Sequence, residues 1–149
     1  MGTRQPDGDG VASRGSALGF VLLLGVVSLF ADATYEGARS IVGAYLNLLG
    51  ASAAAVGFVA GLGEFLGYAL RLVSGYAGDR TGRYWAIALT GYVVNLFAVP
   101  ALALAGRWET AAALVIAERI GKALRTPARD AMLSHAAGQM GRGWAFGVH

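Results

Sequence analysis

The strongest constraint on this chain is how its polar residues are bunched. The stretch Gly75-Tyr76-Ala77-Gly78-Asp79-Arg80-Thr81-Gly82-Arg83-Tyr84-Trp85 is a compact charged turn between two long apolar segments. Its glycines tolerate positive φ and Asp79 can accept hydrogen bonds from nearby amides, so a tight reversal is expected here. Long apolar runs separated by short charged breaks are the pattern of membrane helices. Composition agrees: 56% of residues are hydrophobic and 14% charged, where a soluble domain carries about a quarter charged residues. With 23 glycines, the chain is also rich in the small residues that let membrane helices approach closely.

The net charge of +3 does not point to nucleic acid, because the arginines punctuate apolar segments and are not gathered on one polar face. The absence of cysteine excludes disulfides, thiolate metal sites and cysteine nucleophiles. Catalysis is not expected either, since no Ser/His/Asp constellation and no Gly-x-x-x-x-Gly-Lys-Ser/Thr phosphate loop is present. His135 has no second ligand at useful spacing, so no metal and no cofactor are expected.

Read in order, residues 1–14 form a polar segment expected to be a disordered cytoplasmic tail. A signal peptide cleaved at Ala31-Asp32-Ala33 is the competing reading; the further apolar spans and an acid at the scissile position argue against it. Helices are expected over about 16–46, 52–77, 84–105 and 110–133, with a fifth beginning near 143. Ser52 is placed to cap the second helix, whose Gly57, Gly61, Gly63, Gly67 and Gly75 offer a neighbour close access to its backbone. Pro127 removes one helix hydrogen bond and is expected to bend or end the fourth helix. Arg4, Arg14, Arg80, Arg83, Arg125, Arg129 and Arg142 fall on one side of this topology and Arg107 on the other, which puts the N-terminus in the cytoplasm.

Charged residues inside the apolar segments are the candidate functional groups, because an ionisable side chain at membrane depth costs a few kcal/mol, on the order of 3 on insertion scales, unless it meets a partner or a polar cavity. The acids are Asp32, Glu36, Glu64 and Glu118, and the bases Arg39, Arg71, Arg119, Lys122 and Arg125. Asp32, Glu36 and Arg39 share a face at i, i+4 and i+7; Glu64 and Arg71 share another; Glu118 and Lys122 form an i,i+4 pair continued by Arg125. One reading is a polar path in which an acid takes up protons and a base holds a polar or anionic solute group; desolvation favours a protonated carboxyl. The other is neutralisation across helices that only fixes packing, with Asp32 and Glu36 facing Arg71 or Lys122. Asp32 and Glu36, farthest from the cytoplasmic turns, are the leading coupling candidates. Tyr35, Tyr45, Tyr68, Tyr76 and Trp85 are expected to be packing or interface aromatics.

The pattern Gly75-x-x-x-Asp79-Arg80-x-Gly82-Arg83 resembles the loop between helices two and three of the major facilitator superfamily of secondary transporters. Asp32-Ala33-Thr34-Tyr35-Glu36 resembles an Asp-x-x-x-Glu element, and Arg119-Ile120-Gly121-Lys122-Ala123-Leu124-Arg125-Thr126-Pro127-Ala128-Arg129-Asp130-Ala131 an Arg-x-Gly-Lys-x-x-Arg-x-Pro-x-Arg-Asp-Ala element, both found in a bacterial branch of that superfamily. The resemblance implies an all-α multi-pass protein of the cell (inner) membrane, here the first four helices and the start of a fifth from a twelve-helix fold. It implies a small-molecule substrate, protons as coupling ion, and the C-terminal half of the same permease as partner in the bilayer. In such a protein Gly75, Asp79, Arg80, Gly82 and Arg83 would form a cytoplasmic gating loop. Asp79 would meet a helix of the other half, and Arg83 would pair with acidic groups near the inner end of the fourth helix, Asp130 being the candidate, with Arg129 beside it as a further gating partner. The rival expectations are a self-contained dimeric four-helix exporter and an inactive truncated remnant or membrane interaction subunit.

Overall fold

The computed structural model of the chain describes residues 8–136 and residue 147. Four helices make up its regular structure among the described residues: α1 (Gly8–Leu48), α2 (Ala53–Thr81), α3 (Tyr84–Leu102) and α4 (Trp108–Ala136). The tail expected over 1–14 is shortened, since α1 already runs from Gly8; residues before it, and the expected start of a fifth helix near 143, lie outside the described residues.

Two compact units are distinguishable. In the smaller, α1 up to Leu29 and α4 from Met132 share a core of Val21, Leu24 and Leu133, with Phe20 and Ala136 against it. The larger unit, residues 30–131, carries every candidate site residue. At one end of it the α1–α2 and α3–α4 turns bury Leu46, Val59, Leu102, Ala105, Ala111 and Val115 together. Tyr45 closes this end by donating its hydroxyl to Leu102 O at 2.7 Å, a carbonyl at the end of α3 that also accepts the Ala105 N–H at 3.0 Å.

The turns follow from local chemistry. Ser52 accepts the Ala55 N–H at 3.2 Å and so caps α2. The charged turn is shorter than the sequence suggests: Gly75 to Thr81 remain helical, and the reversal is made by Gly82 and Arg83 alone. Gly82, at φ 66°, adopts the left-handed conformation that ends a helix, and its N–H closes on Gly78 O. Asp79 accepts not from backbone amides but from the Tyr84 hydroxyl at 3.0 Å. Arg80 donates to Tyr76 Oη at 2.7 Å.

Among the described residues, three helical stretches are long and apolar enough to cross a membrane: Gly15–Leu48, Ala53–Thr81 and Tyr84–Leu102. Their apolar side chains stay largely outside the packed core; Leu29, Phe58, Phe65, Leu72, Leu89 and Phe97 are all exposed. Such a surface suits lipid and not water, so the chain is a multi-pass membrane protein. The fourth helix, expected as a span like the rest, is as long as α2 but too charged to qualify by composition. It is instead the helix that the others cover. Glu118, Arg119, Gly121, Ala123, Arg125 and Ala128 along it are all buried.

Pro127 does not end α4, which continues to Ala136. A proline leaves the carbonyl four residues earlier, that of Ala123, without its donor. Ser74 of α2 stands 3.2 Å from Ala123 O and donates its hydroxyl there, with Leu124 O at 3.4 Å. A side chain from a neighbouring helix thus replaces the missing amide, which is how membrane helices tolerate proline.

Candidate functional site

α3 fixes one side of α4 by shape. A Cβ built on Gly121 would lie 2.6 Å from Asn95 N, and one on Gly91 2.6 Å from Arg125 N. The two backbones therefore touch at Gly91 and Gly121, where no other residue fits. Asn95, fully buried, reaches from this contact and donates through Nδ2 to Glu118 Oε1 at 3.1 Å. The glycines expected to mediate close packing on α2 divide: Gly63 meets the Arg119 side chain at 3.3 Å and Gly75 meets Pro127, but Gly57, Gly61 and Gly67 face open space.

On its other sides α4 presents cations. Lys122, Arg125 and Arg129 recur at the spacing that keeps them on one helical stripe. Asp32 of α1 collects three of them. Its carboxylate lies 2.7 Å from Arg125 Nη2, 3.6 Å from Lys122 Nζ and 3.6 Å from Arg129 Nη1. Arg125 is wholly buried, with its guanidinium 5.0 Å from the centre of the Tyr92 ring. Glu36, one turn along α1, takes Lys122 at 3.4 Å and Arg39 at 3.8 Å. Glu64 of α2 is held by Arg119 and lies 3.5 Å from Arg39. A chain of shared ion pairs thus links α1, α2 and α4.

Several pairings differ from those expected. Glu118 does not pair with Lys122; its carboxylate meets Asn95 and, at 3.8 Å, Arg119 Nε, while Lys122 turns to α1. Lys122 also sits over the Tyr35 ring, 3.3 Å from its centroid, so Tyr35 is a cation partner and not packing alone. Arg71 reaches neither Asp32 nor Glu36. Among the described residues it has no carboxylate partner; it stacks on Tyr68 at 5.3 Å, with Nε buried and unbonded. Asp130 is taken by its neighbour Arg129 at 2.9 Å, and Arg83 stands exposed on its turn with no ion pair among the described residues. A contact one residue away in sequence wins over one that must cross between helices.

Sequence reasoning gave no role to Gly91, Ser74, Tyr92 or Asn95, and named Gly121 only within the Arg-x-Gly-Lys element. The one available signal was Asn95 itself, a lone amide in an apolar helix, which needs a partner when buried.

The chain is 54% identical, over 90% of its length, to an uncharacterized protein of Mycobacterium tuberculosis and to its counterpart in Mycobacterium bovis. It is 30% identical, over 86% of its length, to an uncharacterized MFS-type transporter of Methanocaldococcus jannaschii. It spans about a third of the length of these curated relatives, 33% and 32%. No protein-family model and no solved structure matches it. With its membrane helices and its charged turn between α2 and α3, the chain is homologous to part of a transporter of the major facilitator superfamily type.

Proposed function

We propose that the chain forms part of a secondary transporter that moves a small solute across the membrane by alternating access, coupled to protons. The observation that carries this reading is Asp32, one carboxylate shared by Arg125, Lys122 and Arg129 of a buried helix. Protonating it would weaken three inter-helix contacts at once, so one proton would change how α1 holds α4. Glu36, sharing Lys122 with Asp32, is the second coupling group. Arg39, Glu64 and Arg119 carry the same network to α2, and Glu118 anchors it to Asn95 of α3. Arg71 and Arg119 line the solute path. Asp79, Arg80, Gly82 and Arg83 form a cytoplasmic latch that meets the remainder of the permease, with Gly75 inside the helix end that presents it and Arg129 and Asp130 at the same side. A cytoplasmic N-terminus completes this reading, supported by the arginine distribution.

The test uses the protein as the cell makes it, reconstituted in liposomes and screened with a panel of small solutes under an inward proton gradient. Asp32→Asn and Glu36→Gln should each abolish proton-driven uptake. Uptake at the wild-type rate in both variants would overturn the coupling assignment and leave the network a packing device.

A further inference from the structure

Asp32 gathers three cations, and they differ in what each would keep without it. Lys122 keeps Glu36 at 3.4 Å and the Tyr35 ring at 3.3 Å, both on α1. Arg129 keeps Asp130 at 2.9 Å on its own helix. Arg125 meets no second carboxylate within 4 Å among the described residues. Glu118, the acid on the same stretch of α4, is engaged by Asn95 and Arg119. Arg125 is also the most enclosed of the three, with no exposed surface and with Nε and Nη1 lacking an acceptor among the described residues.

What remains to Arg125 is the ring of Tyr92 on α3, 5.0 Å from the guanidinium carbon. The helix crossing builds this contact. A Cβ on Gly91 would stand 2.6 Å from Arg125 N and 2.9 Å from Arg125 Cβ, so the backbone of α3 lies against the root of that side chain. Tyr92 is the next residue, and the same close approach brings its ring to the guanidinium. A ring face attracts a cation through its quadrupole, most strongly where water is excluded. Two helices therefore hold Arg125 in different ways. Asp32 holds it by a charge that a proton removes, and Tyr92 by a ring that the same proton leaves unchanged.

We infer that Tyr92 is a positioning residue of the coupling site, whose ring keeps Arg125 seated on α3 while Asp32 carries a proton. The three cations then fall back on three different elements: Lys122 on α1, Arg125 on α3 and Arg129 on α4 itself. The hold of α1 on α4 loosens, and the contact of α3 with α4 stays closed. Without the ring, the protonated state would leave a buried guanidinium with no counter-group, a strongly unfavourable arrangement. The inference rests on the transport reading and supplies the step in which Asp32 releases its partners.

The experiment measures Tm of the native protein in neutral detergent for Tyr92→Leu and Tyr92→Phe. Each is made with Asp32 in place and again beside Asp32→Asn, which mimics the protonated acid. Tyr92→Leu should lower Tm by about 3 °C with Asp32 in place and by about 6 °C beside Asp32→Asn, where the ring is the remaining counter-group. Tyr92→Phe keeps the ring face and should shift Tm equally in both backgrounds. Equal losses for Tyr92→Leu in the two backgrounds would overturn the assignment, because a ring that only packs does not sense the charge on Asp32. So would a Tyr92→Phe shift that depends on the background as strongly as that of Tyr92→Leu. Should Tyr92→Leu beside Asp32→Asn fail to fold, the Arg125→Gln background carries the test in reverse. Tyr92→Leu should cost less there than in the parent, and an unchanged cost would overturn the assignment.

Proton-driven uptake into liposomes separates this role from the transport reading. Tyr92→Leu should slow uptake roughly tenfold, and Tyr92→Phe should retain it. A background-dependent Tyr92→Leu together with uptake undisturbed by Asp32→Asn keeps the hold of the ring on Arg125 and removes the coupling reading. Uptake abolished by Asp32→Asn, with a Tyr92→Leu loss that ignores the background, keeps the coupling reading and removes the role of Tyr92.

Discussion

The two sides of α4 are built on opposite principles. Toward α3 it presents Gly121, and backbone meets backbone with no room for a methyl group. Toward α1 and α2 it presents long cationic side chains that share carboxylates, with Asp32 serving three cations and Glu64 two. The first contact has one geometry, because close-packed backbones cannot slide without clashing. The second has several nearly equivalent pairings, since a shared carboxylate can release one cation and keep another. The expectation is that α3 and α4 behave as one body while the ion-paired side exchanges partners.

The largest effect should come from the shape-determined side. Gly121→Ala forces a Cβ to within 2.6 Å of Asn95 N and should lower stability by about 3 kcal/mol or more, read as a fall in Tm in detergent. Gly67→Ala, where the added carbon meets nothing, should be neutral or gain up to about 1 kcal/mol from helix propensity. Equal losses in the two variants would break the distinction. On the charged side, Asp32→Asn strands the buried Arg125 and should cost about 2 kcal/mol, below the full range for buried pairs because the Asp32 side chain is 41% exposed. Combining it with Arg125→Gln should cost less than the sum, with a coupling of about 1–2 kcal/mol; strict additivity would mean that the pair contributes nothing. The smallest effect should be Ser74→Ala, about 1 kcal/mol for the lost donor to Ala123 O. In a Pro127→Ala background the restored amide makes Ser74 redundant, and the same change should be close to silent.

How much of this could be read from the chain depends on the kind of contact. The common face of Asp32, Glu36 and Arg39, and their meeting with the cationic stripe of α4, are matters of helical spacing and opposite sign. Which cation meets which acid was not legible, because long side chains of equal charge compete and small rotations of a helix decide. Glu118 went to Asn95 and Lys122 to α1 for that reason. The last helical turn, residues 78–81, looks like loop in the sequence because of its charges and glycines, yet an exposed helix end carries charges easily when Gly82 closes it. Gly91 and Gly121 were hidden by abundance. In a chain with 23 glycines, nothing in composition says which pair will touch. The fourth helix shows the limit most clearly, since hydropathy measures what a helix shows to lipid and α4 shows itself mainly to protein.

That last property bears on how the molecule is made. A segment carrying Glu118, Arg119, Lys122, Arg125, Arg129 and Asp130 would be refused by the bilayer on its own, since each charge near a helix centre adds roughly 2.5–3.5 kcal/mol to the cost of insertion. Synthesis from the N-terminus delivers α1 and α2 first, with Asp32, Glu36 and Glu64 already waiting. The fourth helix is therefore expected to enter the membrane as a passenger of the helices before it, and biogenesis should stall at this point in any variant that removes the waiting acids.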